Sequence, residues 1–403
     1  MIWLFWFALL SVVYAYAGFP ALLWLRARLM PRKIEAADHA PTVSVVIAAY
    51  NEAANIAERI DNLRTQDYPL DRLEIIIASD GSDDGTNEIV QRLAEDESVG
   101  GTITLLALPR QSKGVALNAG AETAAGEVLV FSDANTQFAP DAIMQLVRPL
   151  ADPSVGGVAG NQVYLRGEMS SSTADGERLY WNFDQWLKSL QSRAGSVTSA
   201  TGAIYATRRS LYQDIPPAVT DDFYVSSGVV EQGKRLVYSH DALAYEPVAE
   251  AEGVEFSRKL RVITQGFTSV IYRRALLNPV RYGFYAWQLF SHKILRRLVA
   301  VPLLVMAVVC PLLWNHGWIY QAMLALELIA ISFFALAFLL RGTSLGKWKP
   351  LAAAWFFLMV NTAALASALA ILRGRRVVRW EPERHQQQGS PVGTLETVEG
   401  RSS

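Results

Sequence analysis

The stretch VLVFSDANTQF, residues 128–138, reads as a buried strand that ends in Asp133-Ala134-Asn135. A carboxylate at the C-terminal end of a parallel strand is where an α/β enzyme can hold a divalent cation against a phosphate. The residue two positions on is an amide, so Asp133 has no second acid beside it. Magnesium keeps several waters and needs only one or two carboxylates plus substrate phosphates. Asp133 therefore suffices as a ligand, with Asn135 offering a carbonyl oxygen or holding a metal-bound water. The alternative for Asn135 is a cap on the loop before the next helix. Two more polar clusters end apolar runs in the same way, Tyr50-Asn51-Glu52 and Asp80-Gly81-Ser82.

Other chemistries are argued against by what the 403 residues contain. One cysteine, Cys310, and five scattered histidines give neither a disulfide framework nor a zinc pattern. A net charge of −1 provides no global field for nucleic acid. DGSDDG at 80–85 resembles the start of a calcium loop, but its twelfth position is Gln91 rather than a bidentate glutamate. GGVAG at 156–160 is not G-x-G-x-x-G, and there is no G-x-x-x-x-G-K-[ST] loop.

The elements that must position these clusters alternate. Short apolar, β-branched runs at 42–49, 73–79, 103–108 and 127–132 suit buried parallel strands. Helical stretches are expected at 53–65, 86–94, 114–124 and 140–150. That order predicts an α/β fold with a doubly wound, mostly parallel sheet and helices on both faces. Ligands bind beyond the carboxyl ends of such strands, where all three polar clusters arrive.

The ends of the chain differ from its middle. Hydrophobic residues make up 51%, mean hydropathy is +0.17, and the excess lies at the two ends. Residues 2–25 are long enough to span a bilayer, which takes about 20 residues. AYAG at 15–18 mimics a cleavage site, but no positive residue precedes the run; Arg26, Arg28, Arg32 and Lys33 follow it. A retained anchor with its C-terminal end in the cytoplasm is expected. Three further runs are 298–314, with Pro302 and Pro311, then 319–340 and 351–372. Arg341, Lys347 and Lys349 are expected inside. Three full spans would then put Arg373, Arg375, Arg376 and Arg379 outside, against the positive-inside tendency; a re-entrant run would remove the conflict. Before these runs, Trp287, Phe290, Ile294 and Leu298 recur at helical steps, with Gln288, His292, Lys293, Arg296 and Arg297 largely opposite, as in a helix lying in the membrane interface.

Seven ordered motifs, VSVVIAAYNEAANI, IIIASDGSDDGT, KGVALNAG, FSDANTQF, TGAIYATRRSL, TDDFYV and EQGKRLVY, resemble the membrane-bound family 2 glycosyltransferases, inverting enzymes with a GT-A fold. The resemblance covers roughly residues 40–275. It implies a GT-A domain at 40–250, a membrane anchor at 1–28, interface amphipathic helices at 251–297, about three transmembrane segments at 298–372 and a polar, partly disordered tail at 373–403. It implies transfer from a nucleotide sugar, usually a UDP-sugar, with a divalent cation (Mg or Mn). Carried over, Tyr50 and Glu52 line the nucleoside pocket, Asp80 accepts from the base or ribose, Lys113 sits near the phosphates and Asp133 holds the metal. Asp222 takes the place of the general base and Asp221 that of the acid before it, while Gly202 lets the backbone approach the acceptor. The chemistry asks for these types: a base for the acceptor hydroxyl's proton and positive charge on the leaving diphosphate.

The chain departs from the family at SRKLRVITQG, 257–266. Polymerising relatives carry Q-x-x-R-W there. Arg258 replaces the glutamine, Arg261 matches the arginine and could contact the diphosphate, and Val262 replaces the tryptophan that supports a growing polymer. RWEPERH at 379–385 resembles a segment some relatives carry after the last span. The expectation is a cytoplasm-facing transferase in the plasma membrane that acts on a lipid-linked or surface-glycan acceptor. Its rivals are a processive synthase that exports its product and a non-catalytic nucleotide-sugar-binding subunit.

Overall fold

The computed structural model describes residues 1–96, 101–165, 172–247 and 252–374; the expectations for Arg375, Arg376, Arg379 and the RWEPERH tail lie outside the described residues. An eight-stranded sheet forms the centre of the region between Val43 and Pro247. Its strands are β1 (Val43–Ala49), β2 (Leu73–Asp80), β3 (Thr102–Leu108), β4 (Val128–Ser132), β5 (Gln137–Phe138), β6 (Val155–Leu165), β7 (Tyr205–Arg208) and β8 (Arg235–Pro247), in the order β3-β2-β1-β4-β7-β6-β8-β5. β1 is buried along its whole length, as its run of valine, isoleucine and alanine requires. It pairs in parallel with β2 (Val43 opposite Leu73) and with β4 (Val43 opposite Val128). The parallel expectation holds for β3-β2-β1-β4 and again for β6 with β8, so the sheet is mostly parallel. β7 runs antiparallel to both β4 and β6, which makes the sheet mixed. Those later strands have no alternation or run that distinguishes their direction in sequence.

Helix α1 (Ile2–Leu29) precedes the sheet. Within the domain lie α2 (Ile56–Arg64), α3 (Thr86–Ala94), α4 (Lys113–Thr123), α5 (Ala142–Val147), α6 (Ser172–Ala194), α7 (Asp221–Glu231) and α8 (Glu252–Tyr272). The core has two layers. One packs α2 and α5 against the inner residues of β1 and β4 (Val45, Ile47, Val130), and the other packs α4 and α7 against Val46, Leu129 and Phe131 on the opposite face.

The C-terminal region comprises α9 (Phe284–Leu295), α10 (Ala300–Leu312), α11 (Trp318–Leu340) and α12 (Lys349–Leu372). Three described helices, α1, α11 and α12, are long and apolar enough to cross a membrane, and α9 with α10 forms a pair bent by 63°. The break has a cause. Pro302 offers no N–H to the carbonyl of Leu298, and its ring clashes with it, so the helix cannot run through 296–299.

The amphipathic helix turns its polar face toward the domain. Gln288 and His292 are buried against the domain, while Trp287 (56% exposed) and Phe290 (41%) face outward. The polar face turns inward because partners wait there. Gln288 donates to the Ser196 carbonyl (2.6 Å), and His292 lies beside Asp184 (3.3 Å), Gln191 (3.0 Å) and Thr198 (3.1 Å). The outward apolar face is what a helix seated in lipid presents and a water-facing helix avoids.

Contacts follow α1 from end to end. Arg26 lies over the Phe284 ring (4.4 Å), Tyr14 bonds Ser291 (2.9 Å), and Phe5 and Ala8 pack with Met306 and Val309. The bent pair therefore runs the length of the anchor in the opposite direction. α12 instead lies along α8: Lys259 sits over the Phe356 ring (5.3 Å), Ile263 packs with Ala363 and Ala364, and Thr264 bonds Ser367 (3.0 Å).

Candidate active site

Loops leaving the C-terminal ends of β1, β2, β3 and β4 meet at one rim because these strands are parallel. Asn51 adopts a left-handed conformation (φ 55°) and is stitched to the second loop: its N–H donates to Ser82, its amide to Asp83 (2.8 Å), and the Asp83 N–H donates back (3.0 Å). Asn tolerates this region because its short amide bonds locally. Asp84 accepts from the Ala53 N–H (3.0 Å), and Glu52 accepts from Asn55 (2.5 Å). The acids of DGSDDG thus clamp two loops together.

At this rim the Arg110 guanidinium lies 3.5 Å from the centroid of the Tyr50 ring and donates to Asp80. Asp80 is buried and also accepts the Gln111 N–H (2.7 Å). Only glycine fits at 81, since a Cβ there would lie 2.7 Å from the Arg110 nitrogen. Asp80 is therefore committed within the protein, and Arg110 is the group that faces out. Sequence reasoning missed Arg110. The available signal was its place just past β3, a parallel strand ending at the same rim. Arg110→Lys is expected to raise the donor KM about tenfold with kcat nearly unchanged. The charge on Asp80 stays paired, but the flat stack on Tyr50 is lost, and about 1.4 kcal/mol is tenfold. Unchanged KM in steady-state kinetics would remove Arg110 from donor binding.

The second group is built from α4, the β4 loop and α7. Lys113, the first residue of α4, places its ammonium 2.8 Å from Asp133 Oδ1 and 3.2 Å from Asp221 Oδ2. Burial opposes that charge, yet the two carboxylates outweigh it and hold Lys113 above the ordinary lysine range. Asp221 is pushed up by burial, then eased by Lys113, while Asp222 and Asp133 push it up further. Asp222 stands next to it in the first turn of α7, where its Oδ1 accepts the Phe223 N–H (2.7 Å). Gly202 borders the group: a Cβ there would lie 3.4 Å from Asp133 Oδ2 and 3.9 Å from the Lys113 ammonium. It lies against the Asp133 carboxylate, a place the expectation did not assign to it.

Behind Asp133 lies a second residue that sequence reasoning missed. Arg59, fully buried in α2, donates to Ser132 Oγ (2.9 Å) and Asn62 (2.6 Å) and lies 4.1 Å from the Phe138 ring centroid. Ser132 in turn donates to the Ala203 carbonyl (2.8 Å). This chain fixes the Asp133 and Gly202 loops relative to each other. The available signal was its helical spacing, three residues after Ile56 and four before Leu63, which puts Arg59 on the buried face of α2.

The expected residues therefore form two groups, Tyr50 with Asp80 and Lys113 with Asp133, Asp221, Asp222 and Gly202. Arg258 and Arg261 are partly exposed on the stretch of α8 that packs along α12. Among the described residues, no three His, Cys, Asp or Glu side chains form a metal cage. Asp133 with the Asn135 amide, which makes no side-chain hydrogen bond, fits an ion that takes its remaining ligands from phosphate and water.

Residues 44–215 match the family model "Glycosyl transferase family 2". The chain is 27% identical over 229 residues to the poly-beta-1,6-N-acetyl-D-glucosamine synthase of Staphylococcus aureus (strain COL), covering 56% of this chain and 54% of that protein. It is 26% identical over 270 residues to an N-acetylglucosaminyltransferase of Rhizobium leguminosarum bv. viciae, covering 63% and 62%. The chain thus spans about half the length of the staphylococcal relative. In three dimensions it is similar to the mannosyltransferase PcManGT from Pyrobaculum calidifontis, solved with GDP-Man and Mn2+, at TM-score 0.65 and 24% identity over 92% of this chain and 99% of that one. Residues 44–215 thus match the family 2 glycosyltransferase model, and the sheet they build is similar in fold to a solved glycosyltransferase of the GT-A kind.

Proposed function

We propose that the protein transfers a sugar with inversion from a nucleotide sugar, a UDP-sugar, to a lipid-linked or glycan acceptor at the cytoplasmic face of the plasma membrane, in a metal-dependent reaction. The observation that carries this reading is the group in which Lys113 joins Asp133 to Asp221 beside Asp222, on the same rim as Tyr50 and Arg110. Arg110 and Tyr50 hold the nucleoside. Lys113 neutralises charge on the diphosphate as the glycosidic bond breaks. Asp222 takes the proton of the acceptor hydroxyl as its oxygen attacks the anomeric carbon from the opposite face. A divalent cation held by Asp133, with Asn135 beside it, would add positive charge at the leaving diphosphate.

N-acetylglucosamine is the sugar to test first, because both curated relatives are named for it. Membranes containing the protein, given a panel of UDP- and GDP-sugars with Mg2+ or Mn2+, are expected to yield a lipid-fraction product heavier by one or a few N-acetylhexosamine units. No transfer from any nucleotide sugar would overturn the reading.

The membrane arrangement follows the contacts. The bent pair, running the length of the anchor, counts as one crossing, and α11 returns. α12 lies along α8 of the catalytic domain, so Arg341, Lys347, Lys349 and Arg373 all fall on the domain's side. This removes the charge conflict that three late spans create.

Processive polymer synthesis is the second reading, favoured by the name of the staphylococcal relative. Val262 argues against it. It is 42% exposed on α8, where polymerising relatives carry a tryptophan. An aromatic platform adds about 0.5–1.5 kcal/mol beyond area burial, so its loss shortens product residence by several-fold to about tenfold. In a single-turnover chase with excess unlabelled acceptor, labelled product is expected to stop after one or a few additions. Continued lengthening would establish the processive reading.

A further inference from the structure

The cation nearest Asp133 is the protein's own. The Lys113 ammonium lies 2.8 Å from Asp133 and 3.2 Å from Asp221, with side chains only 17%, 31% and 16% exposed, so water screens the bridge weakly. One ammonium thus serves two carboxylates that belong to different tasks, one toward the donor and one beside the acceptor-side base. A divalent ion on Asp133 would stand within a few ångströms of that ammonium and be repelled by it. Among the described residues no further acid cage compensates. A nucleoside diphosphate changes this balance, since its phosphate oxygens attract both cations.

We propose that Lys113 is a built-in occupant of the metal seat: without donor it ties Asp133 to Asp221, and the donor's diphosphate draws it away, freeing Asp133 for the divalent cation and Asp221 for the acceptor side. Metal binding is then obligatorily coupled to nucleotide binding, and acceptor-side assembly follows the donor. Lys113 is the first residue of α4, with Ser112 capping the helix through the Val115 N–H (3.4 Å), so the release needs only its side chain to swing. Gly202 keeps the space beside it open. The inference rests on the reading of Asp133 as the metal carboxylate.

The test is Mn2+ binding, followed by electron paramagnetic resonance, to the full chain in detergent with and without UDP, alongside calorimetric UDP binding. For the wild type, UDP is expected to tighten Mn2+ binding by about tenfold or more, within the usual range of coupling between sites. In Lys113→Met, Mn2+ alone is expected to bind several-fold tighter than in the wild type, with the effect of UDP reduced to about threefold or less. Lys113→Arg, which keeps the charge, is expected to retain most of the coupling. Lys113→Gln serves as a second neutral variant, and thermal melting in each confirms a folded chain. If the neutral variants bind Mn2+ alone no better than wild type and keep the full effect of UDP, the proposal is overturned while the metal reading stands. If wild type binds no Mn2+ even with UDP, the metal reading itself falls, and the proposal with it.

Discussion

Asp222→Asn is expected to lower transfer by about 10²–10⁴-fold, the usual cost of losing a general base, while UDP binding stays within about twofold of wild type by the same logic. Asparagine has the shape of aspartate and can still accept the Phe223 N–H that Asp222 holds at 2.7 Å, so the first turn of α7 survives. What it cannot do is take a proton. The neighbouring acid has a different task, since without donor Asp221 is engaged by Lys113 at 3.2 Å. Asp221→Asn should differ in kind. It leaves the base and removes one arm of the lysine bridge, so donor and metal binding shift as well as turnover. Rates and UDP affinities for both variants separate the two roles; near-normal turnover in Asp222→Asn would take the base assignment from it.

Asp133→Ala is expected to abolish metal-dependent donor binding, a loss beyond about 100-fold, whereas Asn135→Ala costs about tenfold, as loss of a supporting contact near a metal typically does. The carboxylate supplies charge, while the amide supplies a dipole. Among the described residues Asn135 makes no side-chain hydrogen bond, so its removal should not disturb the loop, which is closed by the Thr136 N–H on the Asp133 carbonyl. Asp133→Ala also deprives Lys113 of its 2.8 Å partner, so part of the loss is electrostatic rearrangement. Donor titrations with and without Mn2+ check both. Equal losses in the two variants would make Asn135 a direct ligand, and a gain in metal affinity from Asn135→Asp would place it beside the ion.

Much of this protein follows from sequence alone. The largely apolar, β-branched β1 and β4 runs suit buried parallel strands, and parallel strands deliver Tyr50, Asp80 and Asp133 to one rim. The long apolar ends are equally legible, since bilayer thickness sets their length. Tertiary structure decided the rest, wherever the outcome depends on which partner a group meets. Arg110 has no local pattern, and the place of Arg59 on the apolar face of α2 does not name its partner; one matters because β3 ends above Tyr50, the other because α2 backs onto Ser132. The direction of β7 hangs on pairings with strands some 50 to 75 residues before it. Helical periodicity located the two faces of α9, but not the groups that the polar face meets. A polar face turns inward only when Ser196, Asp184, Gln191 and Thr198 are there to bond it, and those residues lie about a hundred positions away in the chain. Likewise Lys113, placed by its motif near phosphates, was found between two carboxylates because α4 and α7 converge on the end of β4, a closeness that long-range packing creates and spacing in the sequence does not encode.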